Sequence, residues 1–380
     1  MSLTIENLWE EVGFTPNPAQ RDAITHTDKP LFLPAGPGSG KTRVLLWRTV
    51  NLIACHDIKP EEIFLSTFTE KAAFQLKQGL NALLGLVTNL TGKPYDIAEM
   101  YIGTVHSLCQ RMLTDRRLSD NKERMTRPVI LDALQQYFFL RSGFNDLLQG
   151  VSYTVEDINR FMSDGTFASS AKHKALTDSI TLFNRFSEEV LLPQNIYDLT
   201  DDDEIKKVLK MYEGYIEKLD GGAAAQTDFS LLQQKALQLL ENNRAACETF
   251  KHVIIDEYQD TNAVQERIFF KLAECYQNLC VVGDDEQALY RFRGATVENF
   301  VEFPERCQKY FGCAPREIPL STNYRSRKGI VDFYTRFMEF HDWRRADGKG
   351  FYRLVNKNIN AHSADNQRAV VVTSHSGRNN

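Results

Sequence analysis

The sequence predicts an α/β protein built on a parallel β-sheet flanked by helices. Short apolar runs that stop abruptly at polar residues recur along the chain, and such runs are typical of strands buried on both faces. A nearly all-apolar segment at 42–55 has the place and length of a crossover helix between two parallel strands. The predicted strands are LFLP (31–34), IFLSTF (63–68), HVIID (252–256), LCVVGD (279–284) and EIPL (317–320).

A second pattern interrupts this alternation of strands and helices. From about residue 110 to 225, apolar residues recur at helical spacing and no convincing strand is visible. We therefore expect a large helical insertion. It ends at the flexible-looking segment GGAAAQT (221–227), and DFSLLQQKALQLL then predicts an amphipathic helix.

Composition excludes several classes of protein. The 380 residues are 42% hydrophobic and 25% charged, which is an ordinary globular composition and long enough for about two to three compact units. No apolar run approaches the ~20 residues of a membrane helix, and the N-terminus is acidic, so we expect a cytoplasmic protein with no membrane partner. The seven scattered cysteines form no C-x-x-C pair, which predicts reduced thiols. With a net charge of −5, any polyanion must be held by a local groove.

A phosphate-binding loop, AGPGSGKT (35–42), follows the first predicted strand, with alanine at the usual first glycine. In such a loop, backbone N–H groups and a helix N-terminus surround the phosphates, Lys41 reaches the β and γ oxygens, and the Thr42 hydroxyl faces Mg²⁺. A plain glycine-rich turn is the alternative, which the strand-loop-helix context disfavours. The nucleotide-binding candidates here are Ala35, Gly36, Pro37, Gly38, Ser39, Gly40, Lys41, Thr42 and Arg43.

Asp256 and Glu257 end the predicted strand HVII. An α/β sheet places ligand-contacting groups beyond the carboxyl ends of its strands. Asp256 is therefore a candidate for holding Mg²⁺, directly or through water, and Glu257 for general base to an attacking water. A solvated strand end is the alternative reading of this pair.

Three segments, DEYQDTN (256–262), VGDDEQALYRFRGA (282–295) and NYRS (323–326), resemble motifs II, III and IV of the UvrD/Rep family of superfamily 1A DNA helicases. Other segments resemble its Q motif, motif Ia, motif Ib and DFxxLL helix. They are NPAQRDAI (17–24), STFTEKAAFQL (66–76), GTVHSLC (103–109) and DFSLL (228–232).

This resemblance implies a RecA-like parallel sheet of the P-loop NTPase type, with a large all-helical insertion and the start of a second RecA-like domain. The implied domains are 1A at 1–109 and 228–318, the helical insertion 1B at 110–227, and the opening portion of 2A at 319–380. Motifs V and VI of the family are not found in the sequence. We therefore expect an N-terminal fragment, either natural or made as such.

The resemblance also assigns roles around the nucleotide. It implies that Gln20 reads adenine, Tyr324 stacks on the adenine, Gln287 senses the γ-phosphate and Arg325 acts as an arginine finger. An arginine presents a planar, permanent charge to phosphoryl oxygens, which suits that last role. Glu257 and Lys41 complete the implied catalytic set.

The DNA-binding candidates are mainly aromatic. Phe68, Tyr290 and Phe292 lie on predicted strand-end loops, where rings can stack on unpaired bases of any sequence. Packing against a neighbouring helix is the alternative for these rings. Thr104, His106 and Arg293 are candidate phosphate contacts.

The sequence as a whole predicts an ATP-dependent 3′ to 5′ DNA helicase and single-stranded DNA translocase, with the polarity implied by the resemblance alone. ATP and Mg²⁺ are its expected cofactors, and single-stranded DNA or a single/double-strand junction its partner. We expect the fragment alone to hydrolyse ATP poorly. An AddA/RecB-type helicase-nuclease and a nucleotide- or DNA-binding module without unwinding remain alternatives. A small-molecule phosphotransferase is disfavoured, because it would not need the aromatic YRFRG loop.

Overall fold

The computed structural model describes residues 3–118, 127–163, 170–197, 199–222, 224–291, 294–354 and 357–365. The chain divides into two compact units. The first comprises Met1–Gly103, Phe250–Thr261 and Ala273–Asn380, and the second Thr104–Thr249 and Asn262–Leu272. The four domain ranges expected from the sequence stay a prediction.

The strands are, in chain order, β1 (Leu31–Pro34), β2 (Ile63–Thr67), β3 (Tyr101–Thr104), β4 (Val129–Leu131), β5 (Gln226–Asp228), β6 (His252–Ile255), β7 (Leu279–Gly283), β8 (Arg316–Glu317), β9 (Thr322–Asn323) and β10 (Asn360–Ala361). Six of them form one sheet in the order β3-β2-β6-β7-β1-β8. The neighbours β2/β6, β6/β7, β7/β1 and β1/β8 pair in parallel. This confirms the predicted α/β class.

The five predicted strands are all present, and the reason they were visible is burial. Each of β1, β2, β6 and β7 is buried along its whole length. The fifth, β8, has only two residues and is extended by a bridge between Leu320 and Ala35. Strand β3 was not predicted, because its sequence YIGT offers no apolar run, although the ring of Tyr101 packs against Phe64 and Phe250 in the core.

The helices are, in chain order, α1 (Ile5–Val12), α2 (Pro18–Thr25), α3 (Lys41–Val50), α4 (Glu70–Thr91), α5 (Val105–Met112), α6 (Ala133–Gly150), α7 (Val155–Phe161), α8 (Lys172–Glu188), α9 (Pro193–Ile196), α10 (Asp203–Asp220), α11 (Phe229–Asn242), α12 (Ala263–Leu272), α13 (Val297–Val301), α14 (Phe303–Phe311) and α15 (Lys328–Phe340). The predicted crossover helix is α3 continued by a π-helical turn, Asn51–Cys55. None of the helices in the described part of the chain has the length and apolarity that crossing a membrane requires.

The second unit is helical, as predicted for the insertion, with one addition. Its core is rich in aromatic rings, among them Phe183 stacked on Tyr215 at 5.4 Å between centroids. Strands β4 and β5 pair in parallel and join the two ends of the predicted insertion. A three-residue strand is too short to produce a period-two signal, so the helical reading of the sequence missed this pair.

The cysteines depart from the expectation. Cys55, Cys109, Cys280, Cys307 and Cys313 are free thiols. Cys247 and Cys275 are disulfide-bonded, so the prediction of reduced thiols is wrong for these two. A disulfide depends on the separation of cysteines in the folded chain, which their spacing in the sequence does not reveal.

One buried cation joins α2 to α3 in the first unit. The guanidinium of Arg48, only 1% exposed, donates to the carbonyls of Ala23 (2.9 Å) and His26. The side chain of Asn51 donates to the carbonyl of Ile24 at 3.2 Å. Carbonyls at a helix C-terminus have no partner within their own helix, so these contacts satisfy acceptors that burial would otherwise leave unpaired.

We expect Arg48→Met to lower the free energy of unfolding by about 2–4 kcal/mol, because it leaves the end of α2 buried without donors. Arg21→Met, on the exposed side of the same helix where Arg21 pairs with Glu6, should change it by less than about 1 kcal/mol. Urea denaturation of both variants checks this. Equal losses would show that the buried contacts carry no special weight.

Candidate functional site

The candidate site lies where β1, β6 and β7 end at the same edge of the sheet. Hydrogen bonds of the ladder continue one residue past the strands: Ala35 N–H donates to the Gly283 carbonyl at 2.9 Å, and Asp256 N–H donates to the Ser66 carbonyl at 2.8 Å. The loop after β1, the acidic pair after β6 and the acidic run after β7 therefore begin side by side.

The loop after β1 needs glycine at Gly38 and Gly40 because of its backbone conformation there. Gly38 and Gly40 have φ values of +67° and +84°, a region that other residues rarely adopt. A Cβ on Gly38 would also lie 2.6 Å from the Cβ of Arg325, and a Cβ on Gly36 would lie 2.4 Å from Cδ1 of Ile359. The loop is thus packed closely against the segments that follow β8.

Several features of this loop suit phosphate oxygens. Helix α3 begins at Lys41, and its N-cap, Gly40, supplies no side-chain acceptor to the first-turn N–H groups. The Ser39 hydroxyl is buried and has no hydrogen-bond partner among the described residues. Thr42 and Arg43 are exposed on the first turn of α3, and Pro37 is half-buried. Free donors at a helix N-terminus next to a lysine form an anion-binding arrangement.

The acidic pair after β6 lies beside Lys41. The Lys41 ammonium is 3.7 Å from Glu257 Oε2. Asp256 is buried, and it accepts hydrogen bonds from the Thr67 hydroxyl (3.4 Å) and the Glu257 N–H (3.1 Å). Burial, and then the charge of Glu257, raise the pKa of Asp256 above its ordinary value, while Lys41 opposes the shift. A second positive charge beside Asp256 would restore its ionised form.

Mg²⁺ fits the residues named for it. The Thr42 hydroxyl and the Asp256 carboxylate are the hard oxygen donors that Mg²⁺ prefers. No cluster of three or more His, Cys, Asp or Glu side chains suited to a metal occurs in the described ranges. Mg²⁺ sites commonly combine one or two carboxylates with substrate phosphates and water.

Glu257 is held in an unusual backbone conformation and by a neighbouring amide. Its φ is +51°, in the left-handed region. Gln259 Nε2 donates to Glu257 Oε2 at 3.0 Å, and Gln259 Oε1 accepts from Asp284 N–H at 3.0 Å. A side chain that bridges two loops in this way fixes the direction of the Glu257 carboxylate. Gln259 was not predicted from the sequence, because its role depends on the contact with Asp284, the residue after β7.

The two residues assigned to adenine, Gln20 and Tyr324, both contact the loop after β1. Gln20 is buried in α2, and its Nε2 donates to the Ser39 carbonyl at 3.2 Å. Tyr324 is exposed, its N–H donates to the Gly38 carbonyl (2.9 Å), and its hydroxyl accepts from Asn17 Nδ2 (2.8 Å). The structure therefore brings Gln20 and Tyr324 to the same loop. Asn17 was missed as a contact, although its position before Pro18 signals the helix N-cap that it forms.

Gln287 and Arg325, the two groups assigned to the γ-phosphate, are both exposed. Gln287 Nε2 donates to Asp284 Oδ2 at 2.6 Å. The N–H of Arg325 donates to Asn323 Oδ1 at 2.9 Å. The backbone of Arg325 is therefore fixed beside Gly38, although the residue as a whole is exposed.

Two of the aromatic DNA candidates contact each other. The rings of Phe68 and Tyr290 are 4.7 Å apart at 34°, and both residues are half-buried. They lie on loops after β2 and β7, so the contact joins two strand ends of the first unit. Phe292 and Arg293 lie outside the described residues.

The other two DNA candidates belong to the second unit. Thr104 is buried and caps α5, its hydroxyl oxygen accepting from Ser107 N–H at 3.3 Å. His106 contacts Gln233 at 3.1 Å and packs edge-on against the exposed ring of Phe229 at 5.3 Å. Their assignment as phosphate contacts stays a prediction.

Asp260 gives the site a dependence on pH. Burial, and then the charge of Glu257, raise the pKa of Asp260 from 3.8 to about 7. The folded state therefore holds this proton between about pH 4 and 7 while the unfolded state releases it, and that contribution to stability is lost as the pH rises through 7.

We expect Asp260→Asn to raise Tm relative to the wild type, and by clearly more at pH 8 than at pH 5, because the wild type loses stability progressively between about pH 4 and 7 and the uncharged amide does not. The amide keeps an acceptor for Gln259 but carries no charge. Asp22→Asn, on the exposed side of α2, serves as the control and should give the same difference at both pH values. Thermal unfolding at the two pH values measures this, and a gain for Asp260→Asn that is no larger at pH 8 than at pH 5 would contradict it.

Comparison with known proteins agrees with this geometry. PcrA ATP-dependent DNA helicases match most of the chain. The protein from Bacillus subtilis is 34% identical over 319 residues, which are 83% of this chain and 38% of the relative. The protein from Staphylococcus epidermidis is 29% identical over 336 residues, 87% of this chain and 41% of the relative. That from Staphylococcus aureus is 29% identical over 357 residues, 93% of this chain and 44% of the relative.

The chain thus spans about two fifths of the length of the curated relatives it matches. The profile of the UvrD/REP helicase N-terminal domain matches residues 16–308. This range covers most of the first unit and the whole of the second. The chain therefore belongs to the UvrD/REP helicase family, of which it carries the N-terminal domain.

Proposed function

We propose that this chain is the ATP- and DNA-binding part of an ATP-dependent DNA helicase that moves 3′ to 5′ along single strands. The observation that carries the proposal is the meeting of three groups at one sheet edge: the loop 35–42, the pair Asp256 and Glu257, and the pair Gln20 and Tyr324. Family membership supports it, since the relatives are named ATP-dependent DNA helicases.

In this proposal the loop binds the phosphates of ATP. The N–H groups at the start of α3 and the Lys41 ammonium face the phosphate oxygens, and phosphate replaces Glu257 as the counter-charge of Lys41. Thr42 and Asp256 hold Mg²⁺, which when bound neutralises phosphate charge. Gln20 and Tyr324 select and cover the base.

Glu257 acts as the general base in the proposed hydrolysis. Its carboxylate lies 3.7 Å from the Lys41 ammonium, beside the place proposed for the phosphates. The hydrogen bond from Gln259 Nε2 fixes the orientation of the Glu257 carboxylate. Arg325 supplies positive charge to the transferred phosphoryl group, and Gln287 contacts the γ-phosphate.

For DNA, we propose that Phe68 and Tyr290 form a stacking platform for unpaired bases. Their mutual contact holds both rings at the surface of one unit, half-exposed. The alternative, rings packed only for stability, predicts no effect on DNA binding when either is removed.

We also propose that the 380-residue chain binds Mg-ATP but hydrolyses it close to the background rate, with or without DNA. Phosphoryl transfer in this class depends on arginine charge, which can be worth roughly 10³–10⁵ in rate. The backbone N–H of Arg325 is anchored by Asn323, and the residue as a whole is exposed. Motifs V and VI were not found in the sequence, so we expect Arg325 to act without the residues that those motifs supply.

Lys41→Ala should weaken the binding of a fluorescent ATP analogue at least ten-fold, because a charge-assisted phosphate contact is worth about 1.5–3 kcal/mol. Lys93→Ala, which removes an exposed lysine paired with Asp57, is the matched control and should bind as the wild type does. Fluorescence titration decides the matter, with phosphate release measured in parallel. Equal affinity of the wild type and Lys41→Ala would remove the loop from the nucleotide site.

Tyr290→Ala and Phe68→Ala should each weaken binding of a labelled single-stranded oligonucleotide by about 1–3 kcal/mol in a complete site, with little dependence on its sequence. Tyr310→Ala, which removes an exposed tyrosine of α14, provides the matched control. Fluorescence anisotropy at low and moderate salt measures the change. Wild-type affinity in both ring variants would favour core packing instead.

A further inference from the structure

A buried lysine outside every motif contacts the acidic run that follows β7. Lys357 is 6% exposed, and its ammonium lies 2.7 Å from Asp284 Oδ1, 2.8 Å from Asp285 Oδ1 and 3.6 Å from Glu286 Oε1. The side chains of Asp284 and Asp285 have no exposed surface. Burying charged side chains carries a large desolvation penalty. An unpaired ion in this environment would become neutral or destabilise the folded state, so the three carboxylates and the lysine depend on one another.

The acidic run depends on this lysine for its charge balance. Among the described residues, two cations face the three carboxylates: Lys357 and Arg353, which lies 2.7 Å from Glu286 Oε1. Burial alone would lower the pKa of Lys357, but the three carboxylates outweigh it and hold that pKa above its ordinary value. Lys357 is therefore charged, and without it two buried carboxylates would lose their nearest cation.

The backbone around Lys357 is fixed from both sides. The Ser321 hydroxyl donates to the carbonyl of Lys357 at 2.7 Å, and the N–H of Leu354 donates to Asp285 Oδ2 at 2.9 Å. Three residues further on, β10 pairs with β9. The backbone is therefore held by hydrogen bonds before and after Lys357, which fixes the position of its ammonium beside the acidic run.

Asp284 connects the lysine to the candidate γ-phosphate sensor. One carboxylate oxygen of Asp284 accepts from Lys357, and the other accepts from Gln287 Nε2 at 2.6 Å. Asp284 also caps the short turn Asp285–Gln287, accepting from Glu286 N–H at 3.2 Å. The orientation of the Gln287 amide is therefore set by a carboxylate whose own position is set by Lys357.

We propose that Lys357 is a positioning residue of the nucleotide site, which acts through Asp284 to hold Gln287 in the orientation that recognises the γ-phosphate. This inference rests on the proposed function, since it assumes that ATP binds at the loop 35–42. Among the described residues, the Lys357 ammonium forms its ion pairs with Asp284, Asp285 and Glu286. Its effect is specific: it governs the distinction between nucleotides with and without a γ-phosphate.

The test is the ratio of the Kd for ADP to the Kd for a non-hydrolysable ATP analogue, measured by calorimetry with Mg²⁺ on the full chain. Binding alone suffices, so slow turnover does not interfere. We expect Lys357→Met to lower this ratio by roughly ten- to hundred-fold, the loss of a hydrogen bond to a charged group. Arg345→Met removes a cation of the same segment that pairs with Glu302 and Asp347, and it should leave the ratio unchanged.

A second comparison identifies the route. If Lys357 acts through Gln287, then Lys357→Met added to Gln287→Ala lowers the ratio no further. A further multiplied loss in the double variant would overturn the proposal, and so would a wild-type ratio in Lys357→Met. A wild type that binds both nucleotides equally would also overturn it. Failure of the wild type to bind either nucleotide would instead refute the proposed function.

A charge-balanced variant separates positioning from stability. Lys357→Met combined with Asp285→Asn removes one charge of each sign, and the amide oxygen can still accept from Leu354. It therefore serves also if Lys357→Met alone unfolds. The proposal expects the lowered ratio to persist in this variant. Recovery of the wild-type ratio would show that Lys357 matters only for charge balance, and the proposal would be wrong.

Discussion

The parallel register of β1, β7 and β6 is the constraint on which the rest of the structure depends. Pro34 is aligned with Gly283, and Ile255 with Val281, so β1 and β7 end at the same level and β6 ends about two residues earlier. The carboxyl ends of parallel strands meet at one edge by necessity, whereas antiparallel neighbours would send these loops to opposite edges. A one-residue slip of β7 would reverse the facing of its side chains and move the acidic run away from the loop after β1.

The loops after β6 and β7 bring several buried carboxylates to one edge of the sheet, and a small number of lysines lie beside them. Asp256 and Asp260 are buried near Lys41, and burial raises the pKa of both. Asp284 and Asp285 are buried against Lys357. The first pair is under-compensated, which leaves it receptive to a further positive charge such as a divalent cation. The second pair has the Lys357 ammonium 2.7 and 2.8 Å from its two carboxylates, as expected of a group that maintains geometry.

Much of this arrangement could be predicted from the sequence, for a physical reason in each case. The main strands could be predicted because a strand buried on both faces must be apolar throughout. The loop after β1 could be predicted because glycine is required where φ is positive. Residues such as Gln259 and Lys357 could not be predicted. Their roles depend on which strands are neighbours, and Lys357 meets Asp284 across 73 positions of sequence. Strand β3 was missed for a related reason, since its burial comes from aromatic neighbours and not from its own apolarity.

The segments after β8 make the nucleotide loop more constrained than phosphate binding alone requires. Tyr324 donates from its backbone to the Gly38 carbonyl, and Ile359 occupies the space that a side chain on Gly36 would need. A substitution at Gly36 would therefore disturb packing before it disturbed phosphate contacts, whereas one at Gly38 would do both and also strain the backbone at φ +67°. The same segments carry Tyr324, Arg325 and Lys357. In the proposed function one stretch of chain supports the loop, covers the base and orients Gln287, so a movement of that stretch would alter all three roles together.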